Sequence, residues 1–175
     1  MPRNRIAIAV LGGKASGKTV AVEAIVRTLN SKGFSVMTIK HVAHPGFTLD
    51  KEGTDTWRHW KAGAKIVATV SDMETGIMIK DQTDLSWDLI NLFTGTDVIV
   101  FEGFSSKLLK DIDVGKIICL KDISEKTYYL NNLRGALIAL CSLSLEGEGI
   151  LRLGLENNTL SDKVLEFIQT KMRNG

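Results

Sequence analysis

Ile6-Ala7-Ile8-Ala9-Val10-Leu11-Gly12-Gly13-Lys14-Ala15-Ser16-Gly17-Lys18-Thr19 is the stretch whose reading decides the fold. Its first six residues are apolar without alternation, the pattern of a strand covered on both faces. Its last eight fit G-x-x-x-x-G-K-[ST], and a helical pattern follows, so the motif has the strand–loop–helix setting it requires. Glycines let the backbone turn tightly enough to aim its N–H groups at phosphate oxygens. The helix N-terminus adds unpaired N–H groups and the positive end of its dipole. In such a loop Lys18 reaches the β- and γ-phosphates, and the Thr19 hydroxyl ligates magnesium. The expected nucleotide-binding residues are therefore Gly12, Gly13, Lys14, Ala15, Ser16, Gly17, Lys18, Thr19 and Val20. The ligand this predicts is a purine nucleoside triphosphate carrying Mg2+.

Outward from this segment, short apolar runs alternate with helical patterns. Strands are expected at 6–11, 34–40, 66–70, 76–80, 98–102, 116–120 and 137–141, and helices at 18–32, 54–62, 85–93 and 161–172. The continuous apolar runs and the strand–helix alternation predict a P-loop α/β fold, a mostly parallel twisted sheet flanked by helices on both faces. Residues 1–175 are read as one nucleotide-binding domain, a length that suits a single core. The Leu-rich segment 133–155 reads as core strand, with a dimer or partner surface as the alternative.

A P-loop needs a second acidic group for its magnesium. Val98-Ile99-Val100-Phe101-Glu102-Gly103 is an apolar strand ending in a carboxylate, and parallel strands deliver their C-terminal ends to the ligand edge of the sheet. Glu102 is thus the candidate to hold magnesium, directly or through water, or to orient an attacking water, with Asp97 at the far edge. Lys18 and Glu102 are the candidate catalytic pair, and Thr19, Glu102 and Asp50 the candidate metal ligands. The polar loop beginning Lys40-His41-Val42-Ala43-His44 leaves the same edge, so Lys40, His41 and His44 are candidate phosphate or substrate contacts. His59, between Trp57 and Trp60, reads as packing or surface.

Composition removes several other classes. Hydrophobic residues make up 44% and charged residues 24%, and the net charge is only +2, so charge gives no case for nucleic acid or an acidic membrane. Two cysteines, Cys119 and Cys141, sit in apolar runs with no neighbouring cysteine, the pattern of small buried hydrophobes. No run approaches the roughly 20 apolar residues of a membrane helix, and a cytoplasmic protein is the expectation.

Four blocks together resemble the molybdopterin-guanine dinucleotide biosynthesis protein B (MobB) family. They are the P-loop, Ile39-Lys40-His41 with His44 following, Asp50-Lys51-Glu52-Gly53-Thr54-Asp55 running into Lys61-Ala62-Gly63-Ala64, and Glu102-Gly103-Phe104. The resemblance spans residues 6–104. It implies a homodimeric, GTP-binding accessory protein with weak GTPase activity. Such a protein assists a separate guanylyltransferase that attaches GMP to molybdopterin in molybdenum or tungsten cofactor assembly. Molybdopterin or its guanine dinucleotide is then a further ligand. In the resemblance Lys18 and Thr19 match the phosphate and magnesium positions, and Glu102 the acidic strand end. Two positions depart from the family pattern: Ser105 stands where a basic residue is usual, and Glu52 where proline is common. There is no Asn-Lys-x-Asp element to read guanine; Lys121-Asp122 is a candidate base contact.

Two other functions fit a P-loop. A small-molecule kinase usually carries an arginine-rich lid. Here only Arg27, Arg58, Arg134, Arg152 and Arg173 follow the loop, and they are scattered. A nucleotide-switched adaptor without significant catalysis shares the features of the accessory role.

Overall fold

The computed structural model describes residues 5–79, 85–91 and 93–174. The chain forms two compact units, one of residues 1–41 with 94–175 and one of residues 42–93.

The first unit is built on a six-stranded sheet. Its strands are β1 (Ile6–Leu11), β2 (Val36–Lys40), β5 (Val98–Glu102), β6 (Gly115–Cys119), β7 (Leu137–Ser142) and β8 (Ile150–Arg152), in the order β2-β5-β1-β6-β7-β8. Every pairing in it is parallel. β1 lies inside the sheet, with β5 on one side and β6 on the other. Its chain continues through α1 (Lys18–Ser31) to β2, beyond β5. The loop after β1 therefore opens at a point where successive connections diverge, which is where open α/β sheets bind ligands.

The core explains the unbroken apolar runs. Ile8, Val10, Val98, Val100, Ile117, Ala139 and Cys141 form one cluster with Ile25 and Leu29 of α1 and Leu160, Val164 and Ile168 of α6 (Asn157–Asn174). Side chains alternate along a strand, so Ala9, Ile99, Phe101 and Ile118 face the other way, and they are buried as well. Leu108 of α4 (Ser105–Leu108) and Tyr129 of α5 (Glu125–Asn132) are buried too. Both faces are thus covered, as the non-alternating pattern predicts. The 137–141 run is core strand, and Ile138, Ala139, Leu140 and Cys141 are all buried.

Some expected elements shift. β2 begins at Val36 and not at Phe34, because the Phe34 N–H closes the end of α1 on Leu29 O and the Ser35 N–H donates to Asp97. α6 starts at Asn157, four residues before the periodic stretch at 161–172. α4, α5 and β8 were not expected. The first and last are a single turn and three residues, too short for periodicity to register, and α5 buries only Tyr129.

The second unit holds α2 (Asp55–Lys61), the antiparallel pair β3 (Ile66–Val70) and β4 (Thr75–Ile79), and α3 (Trp87–Asn91). Thr54 caps α2, its Oγ1 accepting from the Trp57 N–H, which is a usual stop for a helix N-terminus. Of the expected strand 76–80 and helix 85–93, Lys80 and Leu92 lie outside the described residues.

Candidate nucleotide site

The loop between β1 and α1 admits only glycine at two of its positions. Gly12 and Gly17 have φ of 146° and 98°, and Ala15 also sits in the left-handed region at 61°. A Cβ on Gly12 would stand 2.2 Å from Cys119 O and 2.6 Å from Ser16 Oγ. One on Gly17 would meet Leu153 Cδ1 at 2.7 Å and Leu143 Cγ at 2.9 Å. The buried Ser16 Oγ donates to Gly13 O at 3.0 Å. Lys18 Nζ folds back over the loop and donates to the same carbonyl at 2.5 Å. Lys14, Ala15, Thr19 and Val20 are exposed at the loop and the first turn of α1. The loop is a tight cradle with its ammonium group already above it.

Beside the cradle, three side chains converge from α1, β5 and β2. Thr19 Oγ1 donates to Glu102 Oε1 at 3.0 Å, and Lys40 Nζ meets that same oxygen at 2.5 Å. The strand order brings them together. β5 pairs with β1 on one side and β2 on the other, and Lys40 stands directly opposite Glu102 in the register. The Glu102 side chain is nearly covered, with 12% relative exposure against 57% for Lys40, so the carboxylate is held while the ammonium borders solvent.

The backbone behind Glu102 is tightly specified. Gly103 has φ 90°, its N–H donates to Val10 O, and a Cβ there would meet His41 Cβ at 3.1 Å. Phe104 follows at φ 63°, rare for a bulky residue and costly enough to persist only where surroundings hold it. Its ring lies 5.0 Å from that of His41 and 6.1 Å from that of Phe101, and the His41 N–H donates to Glu102 O. The Lys-His and Glu-Gly-Phe blocks, about 60 residues apart in the chain, are thus one packed unit at the ends of β2 and β5, with His41 as its packing partner.

The other candidates are placed differently. Asp97 lies at the opposite end of β5, accepting from Ser35, as expected of a far-edge residue. His44 and Asp50 belong to the second unit. His44 Nδ1 is hydrogen-bonded to Pro45 O, and Asp50 Oδ1 accepts from Lys51 N, Thr54 Oγ1 and Thr56 Oγ1 before α2. The Asp122 carboxylate is turned into its own loop by Ser124 N and Oγ, bonds that lower its pKa. Arg27, Arg58 and Arg152 pair locally with Glu23, Asp55 and Glu146.

Sequence reading passed over Glu125. Its Oε2 accepts from the Lys121 N–H at 2.8 Å, and its Oε1 would lie 3.5 Å from a Cβ on Gly13, so it fastens the loop after β6 beside the cradle. The signal was there: Asp122-Ile123-Ser124-Glu125 has the spacing of a helix-start capping box. Leu143 and Leu153, the wall behind Gly17, carried no comparable signal.

The residues present fit a nucleotide-borne magnesium ion. Such an ion keeps several waters and takes one or two protein oxygens plus phosphate oxygens. Thr19 Oγ1 and Glu102 Oε1 supply such a pair at the mouth of the cradle. Among the described residues no group of three or more His, Cys, Asp and Glu gathers for a metal by itself. No described helix is long and apolar enough to cross a membrane.

A parallel sheet with this loop after an inner strand and a carboxylate at the neighbouring strand end defines a P-loop NTPase fold. The family model for molybdopterin guanine dinucleotide synthesis protein B matches residues 7–142, and the chain belongs to that family. A Haemophilus influenzae relative, a molybdopterin-guanine dinucleotide biosynthesis adapter protein, is 31% identical over 126 residues, 70% of each chain. A Methanocaldococcus jannaschii relative, provisionally given the same adapter designation, is 36% identical over 117 residues, 66% of this chain. This chain spans about half of that relative's length, 47%. The crystal structure of Bacillus subtilis MobB superposes with a TM-score of 0.67 at 26% identity, covering 92% of this chain and 97% of that one.

Proposed function

We propose that this chain is a GTP-binding accessory protein of molybdenum or tungsten cofactor biosynthesis. In this reading it assists a separate guanylyltransferase as that enzyme converts molybdopterin to its guanine dinucleotide. Lys18 and the loop 12–19 grip the phosphates, and Thr19 and Glu102 hold Mg2+ on them. The observation that carries the reading is the Thr19–Glu102 contact of 3.0 Å at the mouth of a glycine cradle, in a chain of the MobB family. Magnesium, when bound, offsets phosphate charge; Glu102 orients it or its water, and hydrolysis by the chain alone is slow. A cytoplasmic setting follows from that pathway role.

The Haemophilus relative is named an adapter, which favours an assisting role over a free-standing transferase. Support for a homodimer comes from the second unit. Ile66, Ala68, Val70 and Ile77 share one face of the β3–β4 ribbon, and all are exposed. An apolar face of that kind suits a second copy.

Calorimetry with GTP, ATP and molybdopterin, each with Mg2+, tests the reading. Binding of GTP in preference to ATP, and nucleotide-dependent affinity for the guanylyltransferase, is the expected result. Transfer of phosphate from ATP to a small molecule would replace it with a kinase, and GTP turnover of the isolated chain at tens per second would contradict an accessory role.

A further inference from the structure

Glu102 Oε1 carries two donors at once, the Thr19 hydroxyl at 3.0 Å and the Lys40 ammonium at 2.5 Å. Nothing about nucleotide binding requires the second. A carboxylate at 12% exposure is poorly hydrated, and without a cation beside it the cost of keeping it charged would rise. Lys40 supplies that cation from a strand end where its own side chain is 57% exposed. The ammonium therefore stands against the oxygen that a magnesium ion on Thr19 would use, and a carboxylate oxygen cannot offer one direction to both.

We propose that Lys40 is a surrogate cation, so that loading of the nucleotide with Mg2+ is an exchange in which Lys40 leaves Glu102. This rests on the P-loop reading above and adds a regulated step to it. The rigid partner is Glu102, held by the Gly103–His41–Phe104 packing behind it. The movable partner is Lys40, on a flexible stem whose ammonium is strongly hydrated and so is readily released to water. Three consequences follow. In the nucleotide-free site the Glu102 carboxylate stays paired. Magnesium affinity is set below what Thr19 and Glu102 would provide alone. The freed Lys40 becomes available, beside the phosphates, to an anionic group of nucleotide or second ligand only in the loaded state.

The test is the Mg2+ concentration needed for half-saturation of the full chain held with a saturating fluorescent GDP analogue, whose emission follows loading of the ion. Lys40→Met should lower that concentration about two- to fivefold, the size of a lost ion pair whose cation borders solvent. Lys40→Arg, which keeps the charge on a less hydrated group, should not lower it. In the Glu102→Gln background the effect of Lys40→Met should vanish, since the two cations compete for that carboxylate. An unchanged or higher Mg2+ requirement in Lys40→Met overturns the exchange, as does a gain that persists in Glu102→Gln. Failure of the wild-type chain to bind GDP or GTP at all would instead remove the P-loop reading on which the exchange depends.

Discussion

Lys40 and Glu102 stand directly opposite each other at the C-terminal ends of β2 and β5, and their side chains close to 2.5 Å. The pair is formed by residues from two segments that neither adjoin in sequence nor share a motif. Its position at the mouth of the glycine cradle makes the carboxylate, with Thr19, the polar centre of the candidate site.

Glu102→Gln keeps the shape and an acceptor for Thr19 but removes the charge that attracts magnesium. GTP affinity measured with Mg2+ should fall about tenfold or more, with a smaller loss in EDTA. Equal losses in the two conditions would show that Glu102 acts through the loop and not through the ion.

Lys18→Ala removes the ammonium that now donates to Gly13 O over the cradle. A charge-assisted contact of this kind is worth about 1.5–3 kcal/mol, so GTP affinity should drop roughly ten- to hundredfold by calorimetry. Unchanged affinity would mean the triphosphate binds elsewhere.

Two glycines separate backbone strain from collision. Gly33 has φ 81°, and a Cβ there would meet nothing within 4 Å, so Gly33→Ala should cost about 1 kcal/mol from conformation alone. Gly12→Ala adds a 2.2 Å approach to Cys119 O, and about 2–4 kcal/mol is expected in denaturant titration. It should also weaken GTP binding, because relieving the collision moves the loop.

Cys119 and Cys141 pair in register on β6 and β7, and burial pushes both thiols up, Cys141 to about 12 from 9.0. Above pH 9 the unfolded chain loses these protons before the folded one does. The folded state then binds more protons, and its stability falls as pH rises from about 9 toward 12. Denaturation midpoints over that range should show the decline, weakened in Cys141→Ala or Cys119→Ala. A thiol reagent should label neither residue until the protein unfolds.

Much of this was legible in the residues. The apolar run at 6–11 followed by the glycine–lysine loop specified a buried strand, a tight glycine loop and a helix, because those depend on local geometry and on motif spacing. Glu102 was legible because parallel strands send their C-terminal ends to one edge. The direct contact of Lys40 with Glu102 was not, nor was Glu125 beside Gly13. Those depend on strand order, on which loops fold against which edge, and on where a helix too weakly amphipathic to register begins. Asp50 and His44 show the same limit from the other side. Asp50 suited magnesium and His44 a phosphate or substrate contact, but their local bonds, to the start of α2 and to Pro45, arise only from the folded loop.

By itself the sequence determined the glycine loop between a buried strand and a helix, because six apolar residues, the spaced glycines and Lys18-Thr19 act within one continuous segment. Only the tertiary structure decided what stands beside that loop. The order β2-β5-β1 places Lys40 and Thr19 on the same oxygen of Glu102. Strand order is fixed by packing among residues distant in sequence, and no local pattern records it.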